Sequence, residues 1–327
     1  MDARQRFHET MRYGSPDHPP LFREGMREEV IQAWLNQGLD SEAALSQIFN
    51  YDSREEIQPN LEPRAPVLTG NPLRVDLERL REDLDPEDEG RLPEDWQTIL
   101  QSPREYEHVR MLDVHEGFFL SMVVEEWASF APVMELTIER PNLVREIMRI
   151  TGEFCAAMAA RILQEIEVDA VVFGEPISGA HGSLISPQMY ADLILPSYEP
   201  VLDVVEACGV ETIIWRTYAN SRVLLPEIVK TGMNCLWSTE SNIQAMDYIS
   251  IREAFGKDLR LIGGIDTDAI IAGPEAMQVE LETKLPPLLK QGGYIPLADG
   301  RIRKYVPFEH YAIYRELLEE YVTASRR

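Results

Sequence analysis

The second half of the chain alternates short apolar runs with amphipathic stretches. Val168–Phe173 (VDAVVF), Glu211–Trp215 (ETIIW), Cys235–Trp237 (CLW), Leu259–Ile265 (LRLIGGI) and Tyr294–Leu297 (YIPL) are rich in β-branched or aromatic residues and read as buried strands. Between them the helical spacing predicts helices over 187–208, 221–232, 244–256 and 274–291, each closing near a glycine: Gly209, Gly232, Gly256 and Gly292. A helix over 142–166 precedes this series, and HVRMLDV (108–114) predicts an earlier strand. Strand followed by helix, repeated, means a parallel sheet.

The first third is less regular. Residues 2–13 predict an amphipathic opening helix, stopped by Pro16, Pro19 and Pro20, with a first strand beginning at Leu21-Phe22. Val30, Ile31, Trp34 and Leu35 give a helix over 28–38, and residues 40–48 a shorter one. Residues 50–105 form an irregular acidic insertion region, in which Pro59, Pro63, Pro66 and Pro72 interrupt short extended pieces and DLERLREDLDPEDEGRLPEDW concentrates acids. That run reads as a solvated helix and loop rather than a cation site. Seven or eight βα units can be placed, so the fold class is α/β: a single (β/α)8 TIM-type barrel over residues 1–327, with residues 1–18 as an N-terminal helix and lead-in. No GxGxxG or GxxxxGK[ST] follows any strand, so a nucleotide cradle is not indicated.

Composition narrows the partners. The 327 residues carry 56 acids against 31 bases, a formal charge of −25, which opposes general affinity for nucleic acid or an anionic membrane. No apolar run approaches the roughly 20 residues that span a bilayer, and MDARQRFHETMRYG lacks an apolar signal core, so a cytoplasmic protein is expected. Cys155, Cys208 and Cys235 have no CxxC spacing, which suits a reducing compartment.

In a barrel the chemistry sits where the strands end. The polar residues after each apolar run are Glu24; His115 and Glu116; Glu175; Arg216 and Tyr218; Glu240; Asp266; and Asp299 with Arg301. Buried charges must pair, bind substrate or hold a cation, so converging carboxylates and arginines mark a site. The competing reading makes them salt-bridged structural groups, most strongly for Glu24. His115 and Glu116 are neighbours on an extended run and point to opposite faces; of the two, His115 is preferred as the general base. His181, in the GAHGS loop, reads as a loop histidine facing water before it reads as a lid residue, and FEHYAIYRELLEEY as a helix packing on the barrel.

Several segments are similar to one known group. RQRFHETMRYGSPDHPPLF, GSLISPQMYADLILPSYEPVLDVVEACGV, then LPEIVKTGMNCLW, Glu240, LIGGID and GGYIPLADGRIRKYVPFEHYAIYRELL resemble, in order and spacing, the uroporphyrinogen decarboxylase-like superfamily. It contains porphyrinogen decarboxylases and methyltransferases that work with corrinoid proteins, and the resemblance implies the (β/α)8 barrel. The chain departs from each branch. FREGMREE stands where the decarboxylases have an arginine-rich RQAGRY-type segment. WRTYAN places Arg216 and Tyr218 where the zinc methyltransferases have a His-x-Cys pair, so no classical zinc site is expected. Against a third group with GGIDK and DHxVPP segments, Thr267 replaces the lysine, Gly300 the histidine, and Arg301, Arg303 and Lys304 are added. Those exchanges favour holding an anion over shuttling protons.

What the resemblance implies first is methyl transfer from a small anionic methylated compound to a corrinoid, carried by a partner protein, or to another one-carbon carrier. Glu175, Glu240 and Asp266 would polarise or protonate the leaving heteroatom, Arg216 and Arg301 anchor the anion, and Tyr218 and Asn220 orient it. The alternative is a decarboxylase acting on a small carboxylic acid or porphyrinogen-like substrate, with Arg216 and Arg301 gripping the carboxylate not lost and Asp299 or Asp266 protonating the carbanion. A non-catalytic ligand-binding member stays open, as do a hard divalent cation on Glu175, Glu240, Asp266 and Asp299, and a homo-oligomer.

Overall fold

A computed structural model describes residues 1–64, 75–102, 106–124, 127–240, 243–299 and 301–324. Pro66, Pro72 and Gly300, singled out above, lie outside them. The chain divides into two compact units: Met1–Arg54 with Glu107–Val109 and Cys235–Arg327, and Glu55–Tyr106 with Arg110–Asn234. In chain order the strands are β1 (Gly25–Met26), β2 (Arg54–Ile57), β3 (Val109–His115), β4 (Ala170–Glu175), β5 (Ser178–Gly179), β6 (Gly182–Ser183), β7 (Thr212–Tyr218), β8 (Cys235–Thr239), β9 (Arg260–Ile265), β10 (Tyr294–Ala298) and β11 (Arg301–Ile302).

In the second unit β3, β4 and β7 run parallel, with Met111 opposite Ala170 and Ala170 opposite Thr212. The expected helix before β4 spans Pro141–Glu165, with proline in its first turn, where a missing N–H costs nothing. Gly152 lets it lie against the backbone of Ser197; a Cβ there would sit 2.2 Å from the Ser197 carbonyl oxygen. The single helix expected over 187–208 is instead three pieces, Pro187–Leu193, a 3-10 turn Leu195–Ser197 and Glu199–Ala207. Pro196 and Pro200 supply no backbone donor, so the ladder breaks there. β5 and β6 form a tiny antiparallel hairpin, and His181 at its turn is exposed, as the loop reading expected.

The acidic stretch contains the helix Leu77–Asp83, capped by Asp76, a 3-10 turn Glu89–Arg91 and the helix Trp96–Gln101. It is less solvated than its composition suggests. Arg91 is fully buried and donates to the carbonyls of Asn60, Glu62 and Asp83, gathering this low-periodicity segment around one guanidinium.

In the first unit β8, β9 and β10 run parallel, and β1 pairs in parallel with β11. The opening helix spans Ala3–Met11, closed at its start by a capping box between Asp2 and Gln5. The first strand is not at Leu21-Phe22: both residues are buried, but Leu21 N–H donates to the Asp52 carboxylate at 2.7 Å rather than to a ladder. Tyr248, opening the helix Tyr248–Phe255, ties β8 to β9. Its hydroxyl accepts from Ser238 N–H at 3.0 Å and donates to the Ile262 carbonyl at 2.7 Å. Gly264 is demanded by that tyrosine, since a Cβ would lie 2.6 Å from its ring. The C-terminal helix Phe308–Ala324 buries Tyr311, Tyr314, Arg315, Leu318 and Val322.

Candidate functional site

Successive strand residues face opposite sides of a sheet, so register decides which polar groups meet. On β4 and β7, Val172 pairs with Ile214 and Gly174 with Arg216, which sets these four on one face and Phe173, Glu175, Trp215 and Thr217 on the other. Asp113 on β3 pairs with Val172, joining the face of Arg216. Between Asp113 and His115 the register shifts, so that His115 pairs with Phe173. That bulge sends His115 to the face of Glu175, although its spacing from Asp113 alone would place both together.

The face of His115 and Glu175 packs on helices. Glu175 is fully buried and accepts from Tyr190 Oη at 3.2 Å, from Tyr198 Oη and from Phe118 N–H at 3.1 Å. Burial pushes its carboxyl up to about 7, against the pull of those three donors. Gly117 makes this contact possible: its φ is +81°, and a Cβ would lie 2.7 Å from Glu175 Oε1. His115 has no exposed surface, and its Nδ1 accepts from Gly117 N–H at 2.9 Å. The proton therefore sits on Nε2, 3.5 Å from the Ser197 hydroxyl, which itself donates to Ile194. Burial lowers the imidazole to about 3. His115 is thus a neutral, enclosed group with its lone pair engaged, and Glu175 is anchored by tyrosines rather than open to a metal or a substrate.

The opposite face carries a charged cluster. Arg216 donates from Nη2 to Asp113 Oδ2 at 2.8 Å and from Nη1 to Glu56 Oε2 at 3.0 Å, and Gln58 Nε2 also donates to Asp113 Oδ2 at 3.1 Å. Asp113 Oδ1 is buried with no hydrogen-bond partner among the described residues. Gly174, facing Arg216 across the ladder, leaves room for Glu116, whose Oε2 would lie 3.7 Å from a Cβ at that position. Burial and the negative charge of Asp113 push the Glu116 carboxyl up to about 7, Arg216 opposing and Glu62 adding. Burial also raises Asp113, with Arg216 opposing. The Arg216 guanidinium, depressed by burial, is held above its usual range by Asp113 and Glu56. Tyr218 follows Arg216 on the same face, and Asn220 lies past the strand, its N–H donating to the Gly179 carbonyl at 3.2 Å.

Asp113, Glu116 and Glu56 were missed or set second by reading the sequence. Taking only residues beyond each apolar run passed over Asp113, although a carboxylate inside HVRMLDV is itself a signal. The preference for His115 over Glu116 reverses once the bulge is known.

In the first unit the expected residues part ways. Asp266 accepts from Asp268 N–H at 2.8 Å and caps the helix Thr267–Ala272. Asp299 joins β9 to β11 through its backbone, its N–H donating to Ile265 and its carbonyl accepting from Arg301. Glu24 is structural, as expected: buried, it accepts from Tyr311 Oη at 2.7 Å and Tyr314 Oη at 2.9 Å and pairs with Arg315 at 3.4 Å. Glu240 pairs with Arg301 at 3.0 Å and with Arg303 at 2.8 Å. Partial burial would raise Glu240, but its bond to Arg303 and the charges of Arg303, Arg301 and Arg27 hold it below the usual carboxylate range. Among the described residues no three His, Cys, Asp or Glu side chains are grouped to hold a metal ion, and no helix is long and apolar enough to cross a membrane.

Comparison with known proteins matches this arrangement to a family. No curated protein matches the chain. A solved structure, a methyltransferase from Methanosarcina mazei, shares the fold with a TM-score of 0.61 over 98% of this chain and 99% of its own, at 14% identity. A phosphonopyruvate hydrolase crystallised with oxalate and Mg2+ aligns at a TM-score of 0.32 and 11% identity, over 100% of this chain and 88% of its own, too distant to inform it. The fold class is therefore α/β, the (β/α)8 TIM-type barrel with extra N-terminal helices. The family model for uroporphyrinogen decarboxylase (URO-D) matches residues 60–321, and the chain belongs to that family.

Proposed function

We propose that the protein is a methyltransferase-type enzyme of its family, moving a methyl group from a heteroatom of a small methylated compound to a corrinoid or another one-carbon carrier. One observation carries this reading: Glu116, beside Asp113 and Arg216, has a carboxyl raised to about 7. Breaking a methyl–heteroatom bond leaves a pair of electrons on the heteroatom, which is a poor leaving group until it is protonated. The methyl group goes to the acceptor, the proton of Glu116 to the leaving atom, and solvent restores the acid afterwards. A donor that titrates near neutrality is suited to this. Burial first, and then the negative charge of Asp113, keep Glu116 protonated, while the Arg216 guanidinium opposes the effect of burial on Asp113 and on Glu116 alike. The free Asp113 Oδ1 is placed to accept a hydrogen bond from a ligand donor.

The decarboxylase alternative is less well served by this cluster. Gripping a retained carboxylate takes a free guanidinium fork, and both terminal nitrogens of Arg216 are committed to Glu56 and Asp113. The test is to supply reduced cobalamin with methoxy and N-methyl compounds and follow methylcobalamin by absorbance. Turnover in the wild type, a loss of about 100-fold or more in Glu116→Gln, and a rate that falls above pH 7 are expected. Carbon dioxide release from an acid without any methyl acceptor, or unchanged turnover in Glu116→Gln, would refute it.

A further inference from the structure

On a chain of net charge −25, one small region concentrates positive charge. The parallel ladder of β1 and β11 sets Gly25 opposite Arg301 and Met26 opposite Ile302. Continuing that alternation puts Arg27 and Arg303, each one residue past the ladder, on the same face as Arg301. Arg27 keeps extended backbone, with φ −83° and ψ 158°. All three cations act on Glu240 at the end of β8.

The arrangement is unbalanced. Arg301 and Arg303 each take one oxygen of Glu240, and the Arg27 side chain makes no ion pair or hydrogen bond among the described residues. Each guanidinium has five N–H donors, so most of this set is left over. The side chains of Arg301 and Arg303 are 37% and 40% exposed and that of Glu240 32%, which puts the leftover donors within reach of solvent and ligand. Exposed ion pairs hold weakly, so a competing anion can displace the carboxylate. Glu240 also has φ +48°, a left-handed conformation unusual for a side-chain-bearing residue and often kept at ligand sites.

We propose that Arg27, Arg301 and Arg303 form a binding fork for the carboxylate or phosphate group of a ligand, and that Glu240 is its resident counter-ion, displaced when the ligand's oxyanion enters. Paired guanidinium groups match the planar or tetrahedral oxygens of such anions. The fork goes beyond the proposed function and does not rest on it: it assigns only the anionic class of its own ligand.

The full chain is titrated with sodium phosphate in one arm and sodium acetate in the other, chloride holding ionic strength constant. Binding is read by calorimetry and by the thermal midpoint. A saturable response is expected in the wild type, tighter by about fivefold or more in Glu240→Gln, where the internal competitor has lost its charge, and weaker by about tenfold or more in Arg301→Gln/Arg303→Gln. Saturation in the phosphate arm alone assigns a phosphorylated ligand, and in the acetate arm a carboxylic acid. No saturable response in either the wild type or Glu240→Gln overturns the fork, as does equal binding by the double arginine variant with native circular dichroism, or weaker binding by Glu240→Gln. None of these readings uses methyl transfer, so the fork can fail while the Glu116 acid stands, and the reverse.

Discussion

His115 and Glu116 are adjacent, and the structure gives them opposite fates. The chemistry expected at the end of β3 was legible in the HEG segment; its owner was not, because one extra residue in a ladder leaves no mark on the local residue pattern. His115 is expected to stay neutral, with the proton on Nε2, down to pH 5, as read from nitrogen-15 shifts of its ring. Its lowered affinity for protons has a stability consequence. The folded value of about 3 lies under the ordinary imidazole value of 6.5, so the contribution is present above pH 6.5 and lost as pH falls toward 3. Glu116 has the reverse sign: its folded value of about 7 exceeds the ordinary carboxyl value of 4.5, so its contribution is fully present below pH 4.5 and lost as pH rises through 7. Glu116→Gln should therefore stabilise the protein at pH 8 by about 1–3 kcal/mol and leave it nearly unchanged at pH 4.5, measured by urea unfolding at each pH.

The short apolar runs announced β4, β7, β8, β9 and β10, and amphipathic spacing announced the helices Pro141–Glu165 and Pro274–Gln291. Two-residue strands such as β1 and β11 are too short to carry a period, so the ladder that aligns Arg27 with Arg303 was invisible, although the added arginines were not. Prolines were read as stops in the first third of the chain but not at Pro196, where the helix breaks. Helix packing also rests on contacts that no periodicity records. Gly152→Ala should destabilise the protein by about 1–3 kcal/mol or more, because the new methyl meets the Ser197 backbone, which cannot swing aside as a side chain would. Chemical denaturation of the purified variant checks this. Ser197 also faces His115 Nε2, so the ring's nitrogen shifts should move in that variant even where the fold survives.

At the scale of the molecule, three titrating groups, the buried His115 and Glu175 and the half-buried Glu116, bracket its best pH. Glu116 and Glu175, both raised to about 7, remove stability as pH climbs through neutrality, and His115 removes it as pH falls below 6.5. A net charge of −25 adds self-repulsion at high pH. The midpoint of urea unfolding should be highest near pH 4.5, because above it two glutamates lose stability while one histidine regains it, and decline further by pH 8; a midpoint that keeps rising to pH 8 would speak against raised values at both glutamates. Family and fold class were legible in motif order along nearly the whole chain. The proposed proton donor was not, since it depends on which face of β3 each residue takes and on a carboxylate inside the strand. The claim on which the proposed chemistry rests is that burial, reinforced by the charge of Asp113, keeps Glu116 protonated near neutral pH. A carbon-13 titration of the Glu116 carboxyl tests it without any substrate. The expected midpoint is about 7 in the wild type, moving down in Asp113→Asn; a wild-type midpoint near the ordinary carboxyl value of 4.5, or one that Asp113→Asn leaves in place, would contradict it.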